Sequence, residues 1–311
     1  MLAILLASPA QDVKFRVDVR MVRLLATVRN PAGELVGTLG KSDFKVFDNG
    51  VEQEVAVFER QTAQPLSVAL LVDNSLSTAK DLRFELDSVS RFLKAIFSEG
   101  DPQDAVAFYS FSYDVTLLKS FTHRREPLEE AMRLLRSDSG TSLYDAIYLV
   151  ARDLQNRDGR RVIVVVTDGG DTTSAKRFGD ALEAAQVADA VLYAVLVMPI
   201  TNDAGRNVGG ENALAALAAG TAGRVFTPNV GPAVDAAFID ILKELRTQYF
   251  LGYYPSGIPA SGERFHKVEV KLTNPNLRVL ARSGYYSEVG QPSSGAPVRR
   301  PAVRNATSRP E

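Results

Sequence analysis

Residues 66–78 read LSVALLVDNSLST. The run from Leu66 to Val72 is almost wholly apolar, stops at Asp73, and is followed by Ser75 and Ser77 at alternate positions. A nearly continuous apolar run of this length marks a strand covered on both faces, the kind found in parallel sheets packed between helices. Oxygen-bearing side chains crowd its end. In open α/β sheets that is where ligands bind, beyond the carboxyl ends of the strands.

The pattern repeats downstream. A helical stretch from about Lys80 to Phe97 carries apolar residues at Leu82, Leu86, Val89, Phe92, Leu93 and Ile96, one face of a 3.6-residue period. AVAFYSF then reads as a strand, DVTLLK as a short edge strand, and Pro127 to Leu135 as a helix. SLYDAIYLVARDLQ gives another helix, and RVIVVVTDGGD a second fully buried strand ending in Asp168. Helix 175–189, strand AVLYAVLV, helix 211–219, strand GRVFT and helix 231–248 complete the series. Such alternation implies an α/β domain over residues 64–248, a doubly wound, mainly parallel six-stranded sheet with helices on both faces.

The flanks differ in character. Residues 15–60 alternate apolar and polar residues and contain Asp48-Asn49-Gly50, a two-residue hairpin signal, so they read as an N-terminal β-module. Residues 249–287 return to strand patterns in YFLGYYP, HKVEVKLT and LRVLARSGYY. These are too few for a comfortable domain, and a sheet must bury its apolar face against a second layer. The expectation is one discontinuous β-sandwich built from both flanks, with the α/β domain inserted; the alternative is two separate β-extensions. The tyrosines at 249, 253, 254, 285 and 286 are read as sandwich packing. Residues 288–311, rich in Pro, Gly, Ser and Arg, are expected to lack order.

Composition narrows the function. A formal net charge of -1 over 311 residues disfavours nucleic acid as partner, since phosphate binding needs a basic surface. Without cysteine there are no disulfides, thiolate metal sites or cysteine nucleophiles, and two widely separated histidines do not make a zinc centre. Residues 1–10 end in Ser8-Pro9-Ala10 after a short apolar run and read as the remnant of a signal peptide, which implies export. No segment approaches transmembrane length.

If the strands ending at Asp73 and Asp168 are neighbours, their carboxylates converge with Ser75 and Ser77. Thr141, after Gly140 and just before a helix, adds a further hydroxyl, either as N-cap or as ligand. Oxygen-only donors select Mg²⁺, with Mn²⁺ or Ca²⁺ as alternatives, over zinc. Neutral hydroxyls leave an ion more electrophilic than a cage of carboxylates, which gives it reason to accept a carboxylate from outside. Asp171 is read as the cap of the helix near Ala175, and Asp145 as solvent-facing or locally paired.

Asp73-x-Ser75-x-Ser77, Thr141 after a glycine, and Thr167-Asp168-Gly169 together resemble the metal-ion-dependent adhesion site of the von Willebrand factor type A family. The flanks resemble exported bacterial relatives of that family best known from acidobacteria. The resemblance implies that Ser75 and Ser77 ligate Mg²⁺, that Thr141 binds directly or through water, and that Asp73 and Asp168 act through waters or hydrogen bonds. An acidic side chain of a protein partner would complete the coordination, in adhesion or assembly and without catalysis. It also implies coupling between Thr141 and a shift of helix 231–248. Leu76 departs from the pattern, since many relatives have glycine there. Two other readings compete. One is a structural subunit with a vestigial site. The other is a phosphatase of the haloacid-dehalogenase type, weakened because Ser75 stands where the acid/base aspartate belongs.

Overall fold

The computed structural model describes residues 21–60, 64–78, 82–197, 207–228, 232–259, 263–287 and 303–305. The signal-like residues 1–10 and most of the tail lie outside these.

The first strands are β1 (Val22–Arg29), β2 (Phe44–Asp48), β3 (Val51–Gln53) and β4 (Val55–Arg60). Asn49 and Gly50 both take positive φ, 48° and 83°, so the turn between β2 and β3 is the two-residue hairpin that the Asn-Gly pair encodes. The central segment runs β5 (Leu66–Asp73), α1 (Leu82–Glu99), β6 (Ala105–Phe111), β7 (Val115–Thr122), α2 (Glu126–Met132), α3 (Leu143–Leu154) and β8 (Arg160–Thr167). It continues with α4 (Phe178–Val187), β9 (Ala190–Leu196), α5 (Val208–Gly220), β10 (Val225–Phe226) and α6 (Pro232–Thr247). The chain then returns through β11 (Tyr249–Tyr253), β12 (Phe265–Leu272), β13 (Arg278–Ala281) and β14 (Gly284–Tyr286).

The central strands form one sheet in the order β10-β9-β8-β5-β6-β7, parallel except for the antiparallel β6–β7 pair. Period-2 alternation along β5 sends Val68, Leu70 and Val72 into a core with α1, α2 and α6, while Ala69 and Leu71 pack with α3, α4 and α5. Phe92 of α1 stacks on Phe238 of α6 with ring centroids 4.7 Å apart. Within the tail expected to lack order, β15 (Val303–Asn305) lies parallel to β7 as a seventh strand. The physical reason is the edge: β7 offers unpaired backbone groups to any extended segment that reaches it.

Both flanks enter both remaining sheets, ordered β13-β1-β11-β4 and β14-β12-β2-β3. They share one core in which Tyr249 and Tyr253 are fully buried and Phe44, Phe58 and Tyr249 cluster within 6.0 Å. Asp48 is buried there and accepts hydrogen bonds from the hydroxyls of Tyr253 (2.8 Å) and Tyr285 (2.9 Å), with His266 Nδ1 at 3.0 Å. Tyr254, by contrast, is exposed and belongs to no core. Beside this unit, Glu244 of α6 is buried between Arg29 of β1 and Arg224.

Candidate metal-binding site

β5 lies between β6 and β8. The chain leaves β5 toward the α1 face and leaves β8 toward the α4 face, so the strand order reverses between these two neighbours. The parallel register aligns Val72 with Val166, which sets Asp73 at the end of β5 beside Thr167 at the end of β8.

Asp73 is fully buried. Its Oδ1 accepts the Ser75 N–H at 2.9 Å and its Oδ2 the Thr167 hydroxyl at 2.6 Å. The Thr167 oxygen accepts in turn from the Gly169 N–H at 3.1 Å, which fixes the start of the loop carrying Asp168. The Thr78 hydroxyl reaches the carbonyls of Asp73 and Ser75, so the loop after β5 is wound tightly on itself. That winding brings Ser75 Oγ and Ser77 Oγ to 2.9 Å from each other. Burial pushes the Asp73 carboxyl up to about 6; hydrogen bonds from Thr167 and Ser75 oppose the shift, and the neighbouring Asp168 charge adds to it.

Thr141 is tied to the same end of the sheet by backbone. Asn74 N–H donates to Phe111 O, Asp138 N–H to Asn74 O, Tyr113 N–H to Ser139 O and Ser142 N–H to Ser112 O. Of the two roles open to Thr141, the N-cap falls to Ser142, whose hydroxyl bonds Tyr113 O and Thr173 Oγ1 and makes no cap bond of its own. The Thr141 N–H donates to Thr172 Oγ1, and its carbonyl accepts from the N–H groups of Thr172 and Thr173.

Two expectations are corrected here. Asp171 does not cap a helix near Ala175: its Oδ1 accepts from Tyr144 N–H in the first turn of α3 and from the Ser174 hydroxyl. Asp145 neither faces solvent nor pairs locally. It is 7% exposed, and its carboxylate accepts from Ala175 N–H (3.0 Å) and Lys176 N–H (2.7 Å), thirty positions away. The reason is topological. α3 and the loop after β8 run side by side, so each supplies the acceptors for the other's unsatisfied N–H groups, and α4 starts only at Phe178.

Two glycines complete the setting: Gly169 of the Thr167-Asp168-Gly169 motif, and Gly210, which sequence reasoning missed. Gly169 has a φ of 102°, and a Cβ on Gly210, in the first turn of α5, would lie 1.4 Å from Gly169 O. The pairing of a glycine helix start with the TDGG loop was the available signal. At the rim, Leu76 is 64% and Tyr113 46% exposed.

Among the described residues no three Asp, Glu or His side chains gather as a metal cluster. Only two of the five candidate residues are carboxylates; the rest are hydroxyls. The donors are hard oxygens, and a buried carboxylate with raised proton affinity lies beside a second acid. That chemistry fits a Mg²⁺-type ion.

Residues 68–170 match the family model of the von Willebrand factor type A domain, a span that holds Asp73, Ser75, Ser77, Thr141 and Asp168. No curated protein matches the sequence significantly. Among solved structures, the conserved hypothetical protein BatB from Bacteroides thetaiotaomicron is 21% identical, over 58% of this chain and 100% of that one, with a TM-score of 0.45. An aerotolerance-related membrane protein from Bacteroides fragilis is 20% identical, over 58% and 98%, with a TM-score of 0.44. The von Willebrand factor domain of a type V pilus tip protein from Porphyromonas gingivalis is 15% identical, over 58% and 95%, with a TM-score of 0.48.

Proposed function

We propose that the von Willebrand factor type A domain carried by this chain is a divalent-cation-dependent protein-binding module for adhesion or assembly. Asp73, Ser75, Ser77, Thr141 and Asp168 would hold a Mg²⁺-type ion that accepts an acidic side chain from a partner protein. The observation that carries this reading is the oxygen cluster at the strand-order reversal, where wholly buried Asp73 lies beside Asp168 and two converging serine hydroxyls. A cation there offsets the unfavourable burial of the Asp73 charge.

The chain's own residues have distinct parts. Ser75 and Ser77 present neutral oxygens. Asp73, held by Thr167 and the Ser75 N–H, orients the loop that carries them. The interlocked loops around Thr141 fix its backbone. Exposed Leu76 and Tyr113 offer apolar contact to whatever approaches. The ion, when bound, supplies the positive charge that attracts the partner's carboxylate. Ser75 occupies the place of a phosphatase acid/base and is engaged with Ser77, which favours binding over turnover. The signal-like residues 1–10 support export, and no helix among the described residues is long and apolar enough to cross a membrane.

The test is thermal melting in EDTA and through titrations of Mg²⁺, Mn²⁺ and Ca²⁺, for the parent and Asp73→Ala. A saturable rise in the parent alone is expected, because binding to the native state stabilises it by linkage. No rise in any ion, with or without acetate as a mimic of the partner's carboxylate, would sink the proposal in favour of a structural subunit with a vestigial site.

A further inference from the structure

A cavity of about 30 Å³ lies at the other end of the α/β sheet, where β8 and β9 begin. Arg23 of β1 and Arg282, just after β13, reach it from the sandwich side. Arg160 and Arg161 open β8, and Gln186 and Asp189 sit at the end of α4. Four arginines thus line this cavity with a single acidic residue, Asp189.

Their existing partners are mostly neutral. Arg161 Nη1 donates to Ala188 O, Arg282 Nη1 to Gln186 O, Arg23 Nη2 to Gln64 Oε1, and Arg160 to the carbonyls of Gln64 and Leu245. Asp189 pairs with Arg282. From outside the wall, Asp104 acts on Arg160 and Asp158 on Arg161, while Arg246 repels Arg160. Burial pushes Arg160 down to about 10, so its charge is held against a desolvation cost.

Two polar atoms of this wall are buried without a partner: Arg282 Nε, on a residue 8% exposed, and Gln186 Oε1, on a residue 3% exposed. The Gln186 amide cannot simply be turned over, because its Nε2 donates to Gly220 O at 2.9 Å. The residues lining the cavity therefore carry an excess of cationic donors together with one acceptor that lacks a proton. Water could satisfy the two orphans but would leave part of the arginine charge uncompensated.

We propose that this cavity binds a protonated tetrahedral oxyanion of the phosphate type. Its bare oxygens accept from the arginines, Arg282 Nε included, and its P–OH donates to Gln186 Oε1. Because the wall is drawn from both the sandwich and the α/β sheet, the bound anion holds the two together.

The test is a melting titration of the full chain in EDTA, near neutral pH, with inorganic phosphate, sulfate or chloride at matched ionic strength. Phosphate is expected to raise the melting temperature saturably, with half-saturation roughly tenfold below that of sulfate, which carries no proton to offer Gln186. Arg23→Gln and Arg161→Gln, both at half-buried positions, should each weaken the phosphate response about tenfold. Asp73→Ala should leave it unchanged, which separates this site from the metal site. Equal half-saturation for phosphate and sulfate, no saturable shift, or a phosphate response unweakened in both arginine variants overturns the proposal.

Discussion

Replacing Asp145 by alanine tests how the candidate site is held. The Asp145 carboxylate is buried and accepts two backbone hydrogen bonds, from Ala175 at 3.0 Å and Lys176 at 2.7 Å. Hydrogen bonds to a charged group are each worth about 1.5–3 kcal/mol. Ala175 is exposed and Lys176 half-buried, so water can recover part of what the two N–H groups lose. The net cost should therefore be roughly 2–4 kcal/mol. For a unit of this size that corresponds to a fall of about 4–16 °C in melting temperature. Asp145→Asn should recover no more than half of the loss, because its single carbonyl oxygen can serve one N–H while its NH₂ faces the other. Urea unfolding followed by circular dichroism measures the stability, and Mg²⁺ titration of the variant measures the coupling to the loop of Asp168. A loss below about 0.5 kcal/mol in both variants, the range of an ordinary surface substitution, would refute the claim that Asp145 clamps this loop.

Gly210→Ala should push against the Gly169 carbonyl, 1.4 Å from the added methyl. We expect a loss of about 1–3 kcal/mol and weaker cation binding, read by urea unfolding and by the Mg²⁺-dependent melting shift; an unaltered metal response would separate α5 from the site. Asp104 supplies a pH test, since burial raises its carboxyl above the ordinary 3.8. The folded chain then holds that proton more tightly than the unfolded chain. The group favours folding fully below 3.8 and loses that contribution as pH rises through its folded value. Asp104→Asn should flatten the stability curve in that window, and identical slopes for parent and variant would contradict the assignment.

Most of the α/β architecture was legible because buried parallel strands and amphipathic helices each write a period into the sequence. The run Leu66–Val72, the 3.6-residue spacing from Leu82 to Ile96, and the Asn49-Gly50 turn all required only local chemistry. The five candidate residues were nameable because each lies at a strand end or beside a helix start. The tethers between them were not. Asp145 and Asp171 look like ordinary helix-start acids, and nothing within ten residues of either shows that its partner lies on another loop.

The sequence by itself determined most of the strands and helices of the α/β domain, and which oxygen-bearing residues end the two buried strands. Backbone propensity and hydrophobic period act over a few residues and survive without tertiary context. Only the tertiary structure decided that β5 and β8 are neighbours in register, so that Thr167 bonds Asp73, and that the loops around Thr141 and Asp171 lock together. It alone gathered four arginines from both halves of the chain around one cavity. Those facts depend on contacts between residues far apart in sequence, whose partners are fixed by how the sheets and helices bury their apolar faces against one another.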